Sequence, residues 1–194
     1  MEENRVIKTC KVLIFGGSSG SLDVLMHILP RLSRIPSFAF VIVLHRKSGG
    51  DTVLEGLVAL KTIIPVKEVE DKVDLLPGFI YIAPSDYHLL FENDNSLSLD
   101  ASEKINHSRP SIDVSFESAS EVYGDGLIGV LVSGANSDGT EGLKAIKNAG
   151  GMTVVQKPET ASMPFMPQYA VSNTSPDYIL DLDGIFEFIN SINS

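Results

Sequence analysis

Two runs, FAFVIVL (38–44) and LIGVLV (127–132), are apolar almost without interruption. That is the pattern of strands covered on both faces, since half-exposed strands alternate apolar and polar residues. Each run leads into a stretch with helical spacing, TVLEGLVALK after the first and TEGLKAIKNAG after the second. KVLIF (11–15) precedes LDVLMHILPRL in the same way, and MTVVQ (152–156) precedes a shorter segment. Strands alternating with helices predict an α/β fold, a doubly wound, mainly parallel sheet with helices on both faces. The middle of the chain departs from this rhythm. FIYIAP (79–84) and YHLLFEND (87–94) are nearly contiguous and NSLSLD follows after a polar turn, so an antiparallel edge hairpin is expected between about residues 79 and 100. SIDVSFESASEVYG restores the helical period and stops at Gly124, and DGIFEFINSI suits a last amphipathic helix.

A length of 194 residues fits one domain, read here as an N-terminal extension (1–10) and a catalytic domain (11–194). No apolar stretch approaches the roughly 20 residues of a membrane helix, so no membrane insertion is expected. Neither is a signal peptide, because the opening MEENRVIKTCK mixes charges of both signs. Cys10 is the single cysteine, which excludes an intrachain disulfide and a cysteine-cluster metal site and makes the cytoplasm the expected compartment. A net charge of −10 argues against a broad nucleic-acid surface, which needs clustered Lys and Arg.

Chemistry enters where strands end. KVLIF runs into GGSSGS and then a helix. This unit has two functional readings: anion binding at a helix N-terminus, or a nucleophile turn. Gly16-Gly17-Ser18-Ser19-Gly20 fits G-x-S-x-G literally, with small neighbours that let a serine hydroxyl project from a tight turn. A serine that merely caps the helix is the plain structural alternative. The dinucleotide fingerprint G-x-G-x-x-G is missing, as is an acid at the end of the second strand. His45 stands there instead, directly after FAFVIVL, and LIGVLVS leads into GANSDG, which delivers Asp138 just before a helix. Asp138 taken alone reads first as a helix cap. Three strands that can be sheet neighbours nevertheless present Ser, His and Asp at one edge, where open α/β sheets place their ligands. That set suits acyl transfer: serine as nucleophile, imidazole as base, carboxylate as orienter of the imidazole. His27, His88 and His107 read as structural or loop residues. With no H-x-x-x-H pair, no metal site is expected, and no cofactor.

These residues resemble a known family. GGSSGS, the VIVLH strand end, LLPGFIYIAPSDYHL, SRPSIDVSFESAS, GVLVSGANSDGTEGL and VVQKPETASMPFMPQYA, in this order, are similar to the catalytic domain of the CheB protein-glutamate methylesterases of bacterial chemotaxis. The resemblance implies a Ser18, His45, Asp138 triad that hydrolyses glutamate methyl esters on chemoreceptors to glutamate and methanol, often with glutamine deamidation. N–H groups near Ser19 and Ala135 would hold the oxyanion, while Arg46 and the SMPFMP segment with Met166 would wall the substrate groove, Arg46 giving it a cationic rim. Gly17 and Ser21 stand where the family usually has Ala and Gly, Arg46 where many members carry Met, and Ser108 where a histidine is often found. The late segment is most like members fused to, or encoded beside, a methyltransferase, which makes association with one an expectation. Residues 1–10 are too few for a phosphorylatable receiver domain, for which even a small fold needs ~50 residues. Activity without a phosphodonor is therefore expected of this chain. The competing reading from another class is a non-catalytic esterase-fold module that binds within a chemotaxis-like signalling complex.

Overall fold

The computed structural model describes residues 9–46 and 53–193, so most of the expected N-terminal extension, residues 1–8, lies outside the described residues. The strands are β1 (Val12–Gly17), β2 (Ala39–Leu44), β3 (Val66–Glu68), β4 (Val73–Asp74), β5 (Ile80–Ile82), β6 (His88–Phe91), β7 (Ser96–Asp100), β8 (Leu127–Leu131), β9 (Met152–Gln156) and β10 (Tyr178–Leu180). The helices are α1 (Ser21–Ile28), α2 (Val53–Ala59), α3 (Ile112–Tyr123), α4 (Thr140–Asn148), α5 (Phe165–Asn173) and α6 (Leu182–Ile192).

Seven strands form one parallel sheet in the order β10-β9-β8-β1-β2-β5-β3. Alternate residues of β1 feed different cores. Leu13 and Phe15 pack with Leu25, Phe40 and Ile185 on the face covered by α1, α2 and α6. Val12 and Ile14 pack with Val41, Ile112, Phe116, Leu131 and Leu143 on the face covered by α3, α4 and α5. Both faces are apolar because both are covered, which is why β2 and β8 read as unbroken hydrophobic runs. A buried Phe15 so placed would cost about 3–5 kcal/mol if cut to alanine.

The antiparallel part differs from the expected edge hairpin. FIYIAP contributes β5, which pairs in parallel with β2 and β3 inside the main sheet. The antiparallel strands β4, β7 and β6 form a separate three-stranded sheet. All three β5 residues are buried, so FIYIAP carries the same both-faces-covered pattern as β2, whereas its closeness in sequence to β6 suggested a hairpin. Tyr81 joins the two sheets: its hydroxyl donates to the Asp74 carbonyl at 3.0 Å and accepts from the Leu76 N–H at 2.9 Å.

Strand order reverses around β1. On one side of β1 lie β2, β5 and, at the edge, β3; on the other the chain runs outward through β8, β9 and β10. A crevice opens beyond the carboxyl ends of strands at such a reversal. The three candidate residues follow β1, β2 and β8, the strands that meet there.

Candidate active site

Register brings the first two residues together. β1 and β2 align Gly17 with Leu44, so the residues that follow, Ser18 and His45, leave adjacent strands side by side. The His45 N–H donates to the Gly17 carbonyl at 3.1 Å and extends the ladder one step past the strand. On the other side the Ser18 N–H donates to the Ser133 carbonyl at 2.9 Å, beyond β8. The Ser18 carbonyl accepts both the N–H and the hydroxyl of Ser21, in the first turn of α1. Gly20, at φ +81, lets the chain turn from β1 into that helix. A Cβ there would also lie 2.6 Å from Ser133 Oγ and 2.8 Å from Ser162 Cβ.

Asp138 is fully buried and carries an unusual share of donors. Its Oδ1 accepts from the hydroxyl of Ser111 and the N–H groups of Asp113 and Gly139, each at 3.0 Å. Its Oδ2 accepts from the Ile112 N–H and from His45 Nε2, both at 2.7 Å. Asp138 thus precedes α4 but sits on the N-terminus of α3, where free N–H groups and the helix macrodipole favour an anion. Burial pushes this carboxyl up; the His45 bond and the N–H groups of Asp113 and Ile112 outweigh it and hold it below the usual carboxylate range. Asp138 is therefore ionised where neighbouring pH-sensitive groups change state, and it fixes the imidazole tautomer. With Nε2 donating to Asp138, Nδ1 is the nitrogen left to accept a proton. Ser108 Oγ and Asn136 Nδ2 each stand 3.4 Å from Nδ1, a loose hold that a stronger partner displaces.

Ser18 and His45 border a cleft of about 320 Å³. Its opposite wall is Lys104, His107, Ser108 and Arg109, from the loop that precedes α3. A second recess of about 210 Å³ flanks the same pair with Leu22, Leu44, Val53, Leu54 and Leu57. No acidic side chain lines either recess among the described residues. The N–H groups of Ser19 and Ala135 make no hydrogen bond among the described residues, and both residues are exposed at this edge. A carbonyl oxygen that develops charge needs donors of that kind. Cys10 offers no rival nucleophile, since burial pushes its thiol up to about 12. No group of three or more His, Cys, Asp or Glu side chains suited to a metal occurs among the described residues.

Arg46 lines both recesses, as expected of a wall residue, whereas Met166 is placed differently from expectation. Arg46 borders the cleft, but its side chain is 9 % exposed, donates to the Ala83 carbonyl at 2.6 Å and faces Glu68 at 3.4 Å. Part of its charge is met by Glu68 and by the end of β5. Met166 is fully buried, belongs to the α3–α5 core and packs so closely on Gly134 that a Cβ there would lie 2.5 Å from its Cε. It does not wall the groove. It supports the 134–138 loop, whose Gly134 carbonyl accepts the Met166 N–H at 2.9 Å. The exposed apolar residues of that segment are Met163 and Phe165, with Tyr169 one helical turn beyond. His107 lines the cleft, whereas His27 is paired with Asp183 on the surface and His88 is buried beneath the start of α3, accepting from the Ser111 N–H. Sequence reasoning did not single out Ser111, Asp113, Asn136, Lys104 or Arg109. SRPSID does contain the serine cap and helix start that Asp138 completes.

No helix among the described residues is long and apolar enough to cross a membrane. The chain is 46 % identical over 181 residues to a Leptospira interrogans protein with the provisional name protein-glutamate methylesterase/protein-glutamine glutaminase, covering 91 % of this chain and 92 % of that protein. It is 34 % identical to the Thermotoga maritima protein-glutamate methylesterase/protein-glutamine glutaminase, over 88 % of this chain and 50 % of the longer relative. The crystal structure of the Thermotoga maritima CheB methylesterase catalytic domain superposes with a TM-score of 0.89 at 31 % identity, covering 95 % of this chain and all of that one. Residues 13–189 match the family model for CheB methylesterase, and by that extent of match the chain belongs to the CheB methylesterase family.

Proposed function

We propose that this protein is a protein-glutamate methylesterase, with glutamine deamidation as its second activity, and that Ser18, His45 and Asp138 carry the reaction. The observation that supports this best is the register of β1 against β2, which sets Ser18 beside a histidine whose far nitrogen is 2.7 Å from a buried carboxylate. Ser18 Oγ transfers its proton to His45 Nδ1 and attacks the glutamyl ester carbon. The N–H groups of Ser19 and Ala135 receive the oxyanion. The tetrahedral species collapses, His45 returns the proton to the leaving oxygen, and methanol departs. Water, deprotonated by the same nitrogen, then hydrolyses the acyl-serine to glutamate. A glutamine side chain follows the same course and releases ammonia.

The substrate we assign is a methylated, acidic chemoreceptor-like segment. Lys104 on an acid-free cleft wall suits a carboxylate, and Arg109, whose guanidinium also donates to the Ala101 and Ser102 carbonyls, adds positive charge to that wall in a chain whose net charge is −10. Association with a methyltransferase is proposed on the likeness of the late segment alone. Purified protein incubated with methylated receptor should release methanol, and Ser18→Ala should abolish the release while a fluorophosphonate labels only the wild type. Methanol release by Ser18→Ala at the wild-type rate overturns the assignment.

A further inference from the structure

Behind the His45–Asp138 pair lies a second buried carboxylate that the proposed reaction does not use. Asp138, just before α4, serves the first turn of α3 through the N–H groups of Ile112 and Asp113. Asp113, in that first turn of α3, returns the arrangement: its Oδ1 accepts the Gly142 N–H, in the first turn of α4, at 2.7 Å. Two helix N-termini therefore exchange carboxylates, each acid satisfying the other helix's free donors. The exchange is uneven. Asp138 has five donors, whereas Asp113 has the Gly142 N–H and the Asn106 amide at 3.5 Å. The charged groups acting on Asp113 are Asp138 and, from its own helix, Glu117, both anionic. From α4, Glu141 is engaged with Lys144 at 2.7 Å, and the loop carrying Asn106 presents only a neutral amide. Burial first, then these anions, push the Asp113 carboxyl up to about 7 against the opposing Gly142 N–H.

We infer that Asp113 is a positioning residue for the proposed triad: it locks the start of α4, and with it Asp138, onto α3, and its ionisation adds a second negative charge behind the Asp138–His45 pair. The inference rests on the function proposed above. As His45 accepts the Ser18 proton it becomes cationic, and a negative charge placed beyond Asp138 stabilises that cation. The neutral acid keeps the Gly142 contact but supplies no charge. The ionisation of Asp113 therefore favours proton transfer as pH rises.

The test is Asp113→Asn, which retains an oxygen for the Gly142 N–H and removes the charge. The rate of Ser18 labelling by a fluorophosphonate should rise with pH in wild type along a limb steeper than one ionisation. In the variant the limb should be shallower and its plateau about 3–10-fold lower. Hydrolysis of methylated receptor should show the same loss in kcat with KM unchanged. Carbon-13 NMR of aspartate-labelled protein should show one carboxyl that titrates near neutrality in wild type and is missing from the variant. Superimposable labelling limbs, or no such carboxyl, overturn the inference. So does wild-type protein that the probe never labels, because the triad itself then fails. An inert receptor with normal pH-dependent labelling instead fails the substrate reading and leaves Asp113 in place.

Discussion

Asp138→Asn separates two tasks that one carboxylate performs. An asparagine that keeps its oxygen at the Oδ1 position retains the Ser111, Asp113 and Gly139 donors, and its NH₂ then faces the Ile112 N–H and His45 Nε2. Two charge-assisted bonds disappear, each of the kind that contributes about 1.5–3 kcal/mol, and one buried N–H is left opposite another donor. Local rotation recovers part of this, so unfolding should become easier by about 2–4 kcal/mol. The catalytic loss has another cause. The NH₂ can satisfy Nε2 only as a donor, which moves the imidazole proton to Nδ1, the nitrogen that has to accept from Ser18. Turnover should fall by about 10⁴-fold with little change in KM, the pattern of a lost transition-state interaction. Ser18→Ala is the control, because Ser18 is half-buried and its side chain has no hydrogen-bond partner among the described residues. It should lose activity at least as completely while its unfolding free energy from urea titration stays within about 0.5 kcal/mol of wild type, as expected of a neutral surface change. Methanol release and urea denaturation of the same preparations measure both. An Asp138→Asn protein as stable as wild type removes the capping argument, and one that retains a tenth of wild-type turnover removes the tautomer argument.

Stability should also depend on pH with opposite signs at the two aspartates. Asp138 has a lowered folded-state value, so its contribution is present above the ordinary carboxylate range and is lost on acidification; Asp113, raised to about 7, favours the folded state below that range and loses this contribution as pH rises through 7. Asp113→Asn should therefore be more stable than wild type at pH 8, by about 1–3 kcal/mol after allowance for coupling to Asp138, and near parity at pH 4.5. Urea titrations at the two values decide, and greater stability of the wild type at pH 8 contradicts the assignment. Gly20→Ala should cost about 1–3 kcal/mol, from a left-handed φ of +81 and a contact 2.6 Å from Ser133 Oγ, and should slow Ser18 labelling; unchanged thermal midpoint and labelling rate contradict it.

The triad candidates were legible because parallel strands deliver consecutive chain segments to one edge in a fixed register. Knowing only that FAFVIVL and KVLIF are neighbours is enough to set His45 near Ser18. What surrounds Asp138 was not legible, because Ser111 and Asp113 come from a helix 25 to 27 residues earlier, and nothing local shows that two helices begin against each other. The same limit applies to Arg46, whose partner Glu68 lies 22 residues on in β3, a three-residue strand too short to carry a periodic signal. Met166 misled for a different reason. Its neighbours Met163 and Phe165 are exposed, whereas Met166 packs against Gly134 and into the core beneath α3, α4 and α5. FIYIAP was misplaced because closeness in sequence outweighed its unbroken apolar character, which was the better guide.

The site is held with decreasing firmness from acid to nucleophile. Five donors fix the Asp138 carboxylate; His45 has one strong bond at 2.7 Å and two contacts at 3.4 Å; the Ser18 hydroxyl has none among the described residues. The Ser18 backbone, by contrast, is bonded to Ser133 through its N–H and to Ser21 through its carbonyl. This gradient suits the work that the proposed acyl transfer would ask of each group. The carboxylate moves no proton and serves best when its geometry is invariant, since a misplaced orienter lets the imidazole rotate. The imidazole would exchange its two loose Nδ1 contacts and keep Asp138 on Nε2. The hydroxyl has to swing between Nδ1 and the ester carbon, which a rigid side-chain hydrogen bond would oppose, so its position is set through the backbone and its rotation is left free. In the proposed reaction the two 3.4 Å contacts of Ser108 and Asn136 would be weak enough for Ser18 to displace them from the accepting nitrogen.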